Sequence, residues 1–185
     1  TEATLFMQTK ILIYKEANIF YKTVGKGLPV VLLHGFGEDS EIWKNQIAFL
    51  QNAFHLIIPD IPGSGQSGLI HDADIDTYAE VVKTILDTEK ISKCVLIGHS
   101  MGGYITLAFT EKYPDYLVCF GLFHSSAFAD NEEKKEVREK AISFIQTNGA
   151  YNFLKTSISG LFRYQDGPDA LSNEISELVE KSKNF

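Results

Sequence analysis

Gly98-His99-Ser100-Met101-Gly102 stands directly after the apolar run Cys94-Val95-Leu96-Ile97 and before Tyr104-Ile105-Thr106-Leu107-Ala108-Phe109. The first run reads as a strand and the second as a buried helix. A chain that turns sharply from strand to helix through one serine leaves no room for a Cβ at the flanking positions, so small residues are needed on both sides. Such a turn lifts the Ser100 hydroxyl clear of the sheet, where it can attack a carbonyl. The blander alternative is a serine in an ordinary strand-to-helix turn.

A nucleophilic serine needs donors for the oxyanion it creates, and backbone N–H groups supply them without side-chain reorganisation. Met101 N–H follows the serine. Phe36 N–H lies in His34-Gly35-Phe36-Gly37, after the strand-like run Pro29-Val30-Val31-Leu32-Leu33, and these two form the expected pair. The serine also needs a base, ordinarily a histidine oriented by a carboxylate. Among the histidines, His34 is expected to brace its own turn by bonding backbone, and His99 to point away from Ser100. His55 and His71 read as surface residues. His124 follows the sixth strand on the side of the sheet where ligands bind, although a loop contact is the simpler role. Asp60 reads as a loop-bracing carboxylate and Asp130 as an alternative acid position.

Three segments occur in this order: His34-Gly35-Phe36-Gly37, then Asp60-Ile61-Pro62-Gly63-Ser64-Gly65-Gln66-Ser67, then Gly98-His99-Ser100-Met101-Gly102-Gly103. With them the chain resembles the α/β-hydrolase family, in its cap-bearing, esterase-like branch. The resemblance implies a serine hydrolase acting on an ester or related acyl substrate, with Ser100 as nucleophile and Phe36 and Met101 as oxyanion donors. His34, Gly35, Gly98, His99 and Gly102 support the motif. No cofactor or metal is expected. Related scaffolds hydrolyse carbon–carbon bonds, make peracids or cleave amides, and a non-catalytic ligand-binding protein could keep the same turn. In the family the acid follows a seventh strand and the histidine an eighth. This chain ends before both, so the expectation is a truncated hydrolase, nearly inactive until another segment completes it.

Gly63-Ser64-Gly65-Gln66-Ser67-Gly68 also satisfies the dinucleotide-binding pattern G-x-G-x-x-G. No amphipathic helix opens on its last glycine, so there is no helix terminus to receive a pyrophosphate. It is expected to be a structural loop.

The elements that must hold these residues follow from periodicity. Short strands at 11–14 and 19–24 flank a turn at Lys15-Glu16-Ala17-Asn18, and strands at 29–33, 54–58, 93–97 and 116–123 alternate with helices at about 41–51, 77–87 and 100–113. This alternation predicts an α/β fold with a mostly parallel sheet and helices on both faces, over residues 1–127. After the charge run Asn131-Glu132-Glu133-Lys134-Lys135-Glu136 come three amphipathic patterns. They are Val137, Ala141, Phe144 and Ile145; then Tyr151, Leu154, Ile158, Leu161 and Phe162; and, after a break at Asp166-Gly167-Pro168, Leu171, Ile175, Leu178 and Val179. Three such helices after the sixth strand resemble the family's helical cap, and the resemblance implies that residues 128–185 are a cap segment. Trp43 and Phe128 read as pocket-lining aromatics or, more simply, as core.

Composition narrows the classes. The 185 residues are 44% apolar with formal charge −7. No basic stripe favours nucleic acid or an anionic membrane surface. No run approaches the roughly twenty apolar residues of a membrane span, and no signal-peptide pattern opens the chain. Cys94 and Cys119 sit in apolar runs and read as buried free thiols, which favours a reducing compartment, the cytoplasm. Leu117-Val118-Cys119-Phe120-Gly121-Leu122-Phe123 lacks the charges and prolines that protect a sheet edge, so a neighbour is expected on each side; without further strands that edge is expected to aggregate, to pair with another copy or to be covered by displaced cap helices.

Overall fold

The computed structural model describes residues 6–161 and 170–184, which form two compact units, 1–127 and 128–185. In the first unit β1 (Gln8–Tyr14) and β2 (Ala17–Val24) form an antiparallel hairpin with Tyr14 opposite Ala17. The turn is therefore Lys15-Glu16 alone, two residues shorter than expected. Both residues adopt positive φ, 46° and 68°. This mirror-image geometry matches the right-handed twist of the strands it joins.

The chain continues through β3 (Leu28–Leu33), a 3-10 turn at Ser40–Trp43 that runs into α1 (Lys44–Leu50), and β4 (Phe54–Pro59). Next come α2 (Ile75–Thr88), β5 (Cys94–His99), α3 (Met101–Lys112) and β6 (Leu117–Phe123). The sheet order is β1-β2-β4-β3-β5-β6. β2 pairs antiparallel with β4, whereas β4, β3, β5 and β6 run parallel.

Alternation along the strands divides the core into two layers. Val31, Leu33, Ile57 and Leu96 face α2 and α3, where they meet Val82, Ile85, Leu86, Ile105 and Phe109. Val30, Leu32, Leu56 and Ile58 face the opposite side and pack on Trp43 and Ile47. Both faces of the central strands are thus covered, as the unbroken apolar runs predict. Trp43 is core, only 4% exposed. Helix starts follow local chemistry: Asp74 accepts the Thr77 N–H at 2.8 Å, and Asp39 accepts the Glu41 N–H at 2.9 Å.

The edge strand β6 corrects one expectation. Cys94 is buried but Cys119 is exposed, because β6 has a paired neighbour on the β5 side only and no strand beyond it among the described residues. Val118 and Phe120 are likewise exposed.

The second unit contains α4 (Glu132–Asn148), α5 (Ala150–Leu161) and α6 (Ala170–Lys181). Asn131 caps α4 by accepting the Lys134 N–H at 3.0 Å, and Gly149 ends it at φ 84°. Leu154 and Ile158 of α5 are buried. Of the apolar face expected on α4, Val137 and Phe144 stay exposed while Ala141 and Ile145 are half-buried, and the Phe144 ring lies 6.3 Å from that of Phe153. Phe162 and the break at Asp166-Gly167-Pro168 lie outside the described residues.

Candidate active site

β5 ends at His99 and α3 begins at Met101, so Ser100 alone makes the turn, at φ 51° and ψ −116°. A residue with a Cβ held in this region costs on the order of 1–3 kcal/mol and persists only where its surroundings over-determine it. Those surroundings are explicit. Ser100 N–H donates to the Phe123 carbonyl at 3.0 Å, Gly103 N–H donates to the Ser100 carbonyl at 2.9 Å, and Ser125 Oγ donates to that same carbonyl at 2.8 Å. The end of β6 and the residues after it thereby clamp the turn and leave Ser100 exposed.

The flanking glycines are fixed by close approach. A methyl on Gly98 would overlap the Gly102 carbonyl, and one on Gly102 would sit 2.6 Å from the Leu33 carbonyl oxygen and 2.7 Å from that of His34. Gly102 is thus where α3 crosses the end of β3. Met101 N–H lies in the first turn of α3, where N–H groups have no carbonyl four residues back to receive them.

The loop after β3 comes to the same point. A methyl on Gly35 would lie 3.1 Å from Ser100 Cβ, 3.3 Å from His99 Nδ1 and 2.8 Å from Glu38 Oε2. Gly35 N–H donates to Glu38 Oε2 at 2.6 Å, so this amide is already committed and Phe36 N–H is the next in sequence. His34 is fully buried. The Ile61 N–H donates to its Nε2 at 2.9 Å, so Nδ1 carries the proton and donates to the Gly35 carbonyl at 2.8 Å. Burial lowers its pKa, outweighing the opposing hydrogen bond to Gly35 and the nearby carboxylates, and His34 is a neutral brace.

Asp60 ties the next loop in place. Its Oδ1 accepts the Ser40 N–H and its Oδ2 the Gln66 N–H, both at 2.9 Å. Within the glycine-rich segment, Gly63 N–H donates to the Gly68 carbonyl at 3.0 Å, Ser64 N–H to Ile61 at 2.9 Å, and Gly68 N–H to Asn18 at 2.8 Å. Amides already spent on the protein do not cradle a phosphate, and α2 starts only at Ile75.

The remaining titratable candidates are placed apart in role. His99 Nδ1 donates to Glu38 Oε2 at 2.8 Å. His124 has φ 46° and is exposed, its ring 4.6 Å from Phe123 and 6.2 Å from His99. Asp130 pairs with Arg138, which holds its carboxyl below the ordinary range. His71 is exposed, but His55 departs from expectation: it is half-buried, and its Nε2 is enclosed without a hydrogen-bond partner. Among the described residues no side chain hydrogen-bonds the Ser100 hydroxyl, and no cluster of three His, Cys, Asp or Glu could hold a metal. Glu38 was missed by sequence reasoning, because nothing in its spacing marks it as the partner of a histidine in a distant segment.

A serine exposed at a strained strand-to-helix turn, beside the loop that follows β3, on a mostly parallel sheet, defines a class. The alpha/beta hydrolase fold family matches residues 29–143, and the chain belongs to that family. It is 30% identical over 165 residues to the pimeloyl-[acyl-carrier protein] methyl ester esterase of Wigglesworthia glossinidia brevipalpis, covering 86% of this chain and 61% of that protein. It is 36% identical over 96 residues to the (E)-2-((N-methylformamido)methylene)succinate hydrolase of Acinetobacter baylyi, covering 51% and 36%. Among solved structures, a thermophilic esterase from Thermogutta terrifontis matches with TM-score 0.77 and 29% identity, over 98% of this chain and 65% of that one. The chain spans less than two thirds of the length of each of these relatives.

Proposed function

We propose that this protein is a serine hydrolase acting on an ester or related acyl substrate. Ser100 attacks the carbonyl, and the N–H groups of Phe36 and Met101 receive the oxyanion. The observation that carries this reading is the conformation of Ser100, at φ 51° and ψ −116° with its neighbours clamping it outward. Similarity to two esterases supports an ester over other acyl compounds. Among the described residues no side chain hydrogen-bonds the Ser100 hydroxyl, so none of them is assigned as its base.

The test is covalent. An alkyl fluorophosphonate is expected to add one phosphonyl group to the protein by intact mass, and Ser100→Ala to abolish the addition. Labelling that persists in Ser100→Ala, or wild-type protein that never labels, overturns the reading.

A further inference from the structure

The oxyanion loop and the nucleophile turn are far apart in sequence, and a single carboxylate oxygen joins them. Glu38 Oε2 accepts the Gly35 N–H at 2.6 Å and the His99 Nδ1–H at 2.8 Å. Gly35 directly precedes Phe36, and His99 directly precedes Ser100. The same oxygen thus holds the neighbour of an oxyanion donor and the neighbour of the nucleophile. Both side chains are about a fifth exposed, 21% for His99 and 22% for Glu38, so the pair is partly shielded from water. A charge-assisted acceptor in such a setting bonds more strongly and more directionally than a neutral one in solvent.

The loop needs such a restraint. Between the end of β3 and the 3-10 turn at Ser40 it makes no strand or helix bonds, and Gly37 adopts φ 70°. Catalysis by an oxyanion hole depends on donors preset to within a few tenths of an ångström, because their advantage lies in needing no reorganisation. His34 and Asp60 fix the two ends of the loop, but neither touches the nucleophile turn by a hydrogen bond. Glu38 does so through His99.

We propose that Glu38 is a positioning residue that spaces the Phe36 amide from Ser100 by bonding Gly35 N–H and His99 with one oxygen. This inference rests on the hydrolase reading for its catalytic consequence, while the strut itself is independent of it. The two bonds need an acceptor oxygen and no net charge, so a glutamine carbonyl can reproduce them and an alanine cannot.

The test compares wild type, Glu38→Ala, Glu38→Gln and His99→Ala by three readouts: melting temperature, the amide proton shift of Gly35, and the rate of alkyl fluorophosphonate addition well below the melting temperature. Glu38→Ala is expected to move the Gly35 amide proton upfield and to slow labelling at least about tenfold, the scale of losing alignment of one oxyanion donor. Glu38→Gln is expected to restore labelling to within about threefold of wild type, because the neutral acceptor still makes both bonds. His99→Ala is expected to slow labelling as Glu38→Ala does, and the double variant no further. Wild-type labelling in Glu38→Ala overturns the proposal. So does equal loss in the Ala and Gln variants that follows their melting temperatures, since that marks a role in folding alone. If wild type itself does not label, the hydrolase reading fails, and the Gly35 shift alone then decides whether the strut exists.

Discussion

Gly102 is a residue whose identity is set by two carbonyl groups. The nearest atoms to a methyl there are the Leu33 and His34 oxygens at 2.6 and 2.7 Å, the first in β3 and the second on the residue that follows it, whose buried ring bonds Ile61 and Gly35. Gly102→Ala is therefore expected to destabilise the fold by about 3 kcal/mol, the range of overpacking against atoms that cannot yield. A lowered urea midpoint with an unchanged m-value is the expected signature; a wild-type midpoint would show that α3 has room to move. His34 gives a second prediction. Burial holds it neutral, with a pKa below its ordinary 6.5. Above 6.5 the imidazole is neutral in both folded and unfolded chains. Below it the unfolded chain takes up a proton that the folded chain refuses, so stability falls as pH drops from 6.5 toward the folded value. The slope from this one group approaches about 1.4 kcal/mol per pH unit. Urea midpoints between pH 7.5 and 5 should fall more steeply in wild type than in His34→Asn, and parallel profiles would remove His34 from the account. At this scale the sequence is informative wherever backbone crowding dictates a residue type, as at Gly98, Ser100 and Gly102. The Glu38–His99 bond spans 61 positions and is created by β3 and β5 lying side by side, so no local pattern announces it.

Among the elements, the hairpin shows how far local chemistry reaches. Two strands and a turn were legible from the apolar pattern, yet the turn is two residues rather than four. Lys15 and Glu16 both carry a Cβ at positive φ, where asparagine and glycine are the favoured pair. Replacing Lys15-Glu16 by Asn-Gly is expected to raise stability by about 0.5–1 kcal/mol, by relieving the left-handed conformations the lysine and glutamate must adopt. A urea midpoint unchanged or lowered would mean that the Lys15 ammonium over the Tyr14 ring, 5.4 Å from its centroid, offsets the backbone gain. The central strands were read correctly for a different reason. Val30 to Leu33 and Leu56 to Ile58 have helices on both faces, so every side chain is apolar and the run is unmistakable. Where one side lacks a neighbour the same inference fails. Cys119 lies in an apolar run as continuous as that of Cys94, yet only Cys94 is buried, because β5 has a strand on each side and β6, among the described residues, has one. The apolar stripe of α4 is covered only in part, with Ala141 and Ile145 half-buried and Val137 and Phe144 exposed: helical spacing predicts a face but not what covers it.

For the whole molecule, the consequence lies at the two edges of the sheet. β1 ends one side with Lys10 in its middle, ion-paired to Glu89 at 2.7 Å, a charge of the kind that discourages pairing by a second chain. β6 ends the other side with Leu117-Val118-Cys119-Phe120-Gly121-Leu122-Phe123, and it has no such charge. Val118 is 57% and Phe120 45% exposed, so the edge presents apolar surface on a strand that, among the described residues, pairs on its β5 side only. The formal charge of −7 gives copies a mutual repulsion, but at physiological salt that repulsion is screened beyond about 8 Å and does not guard a contact made edge to edge. The chain is accordingly expected to self-associate through β6. Sedimentation of the wild-type protein should show a concentration-dependent rise in mass. Phe120→Lys should weaken the association by about tenfold or more, because it buries a charge at the new contact without touching the β5 side of the strand. Val118→Lys should act in the same sense, since it lies two residues away on the same face. A wild-type chain that stays monomeric up to high concentration, or a Phe120→Lys chain that associates as strongly, would show that the exposed edge is protected by other means than its own sequence.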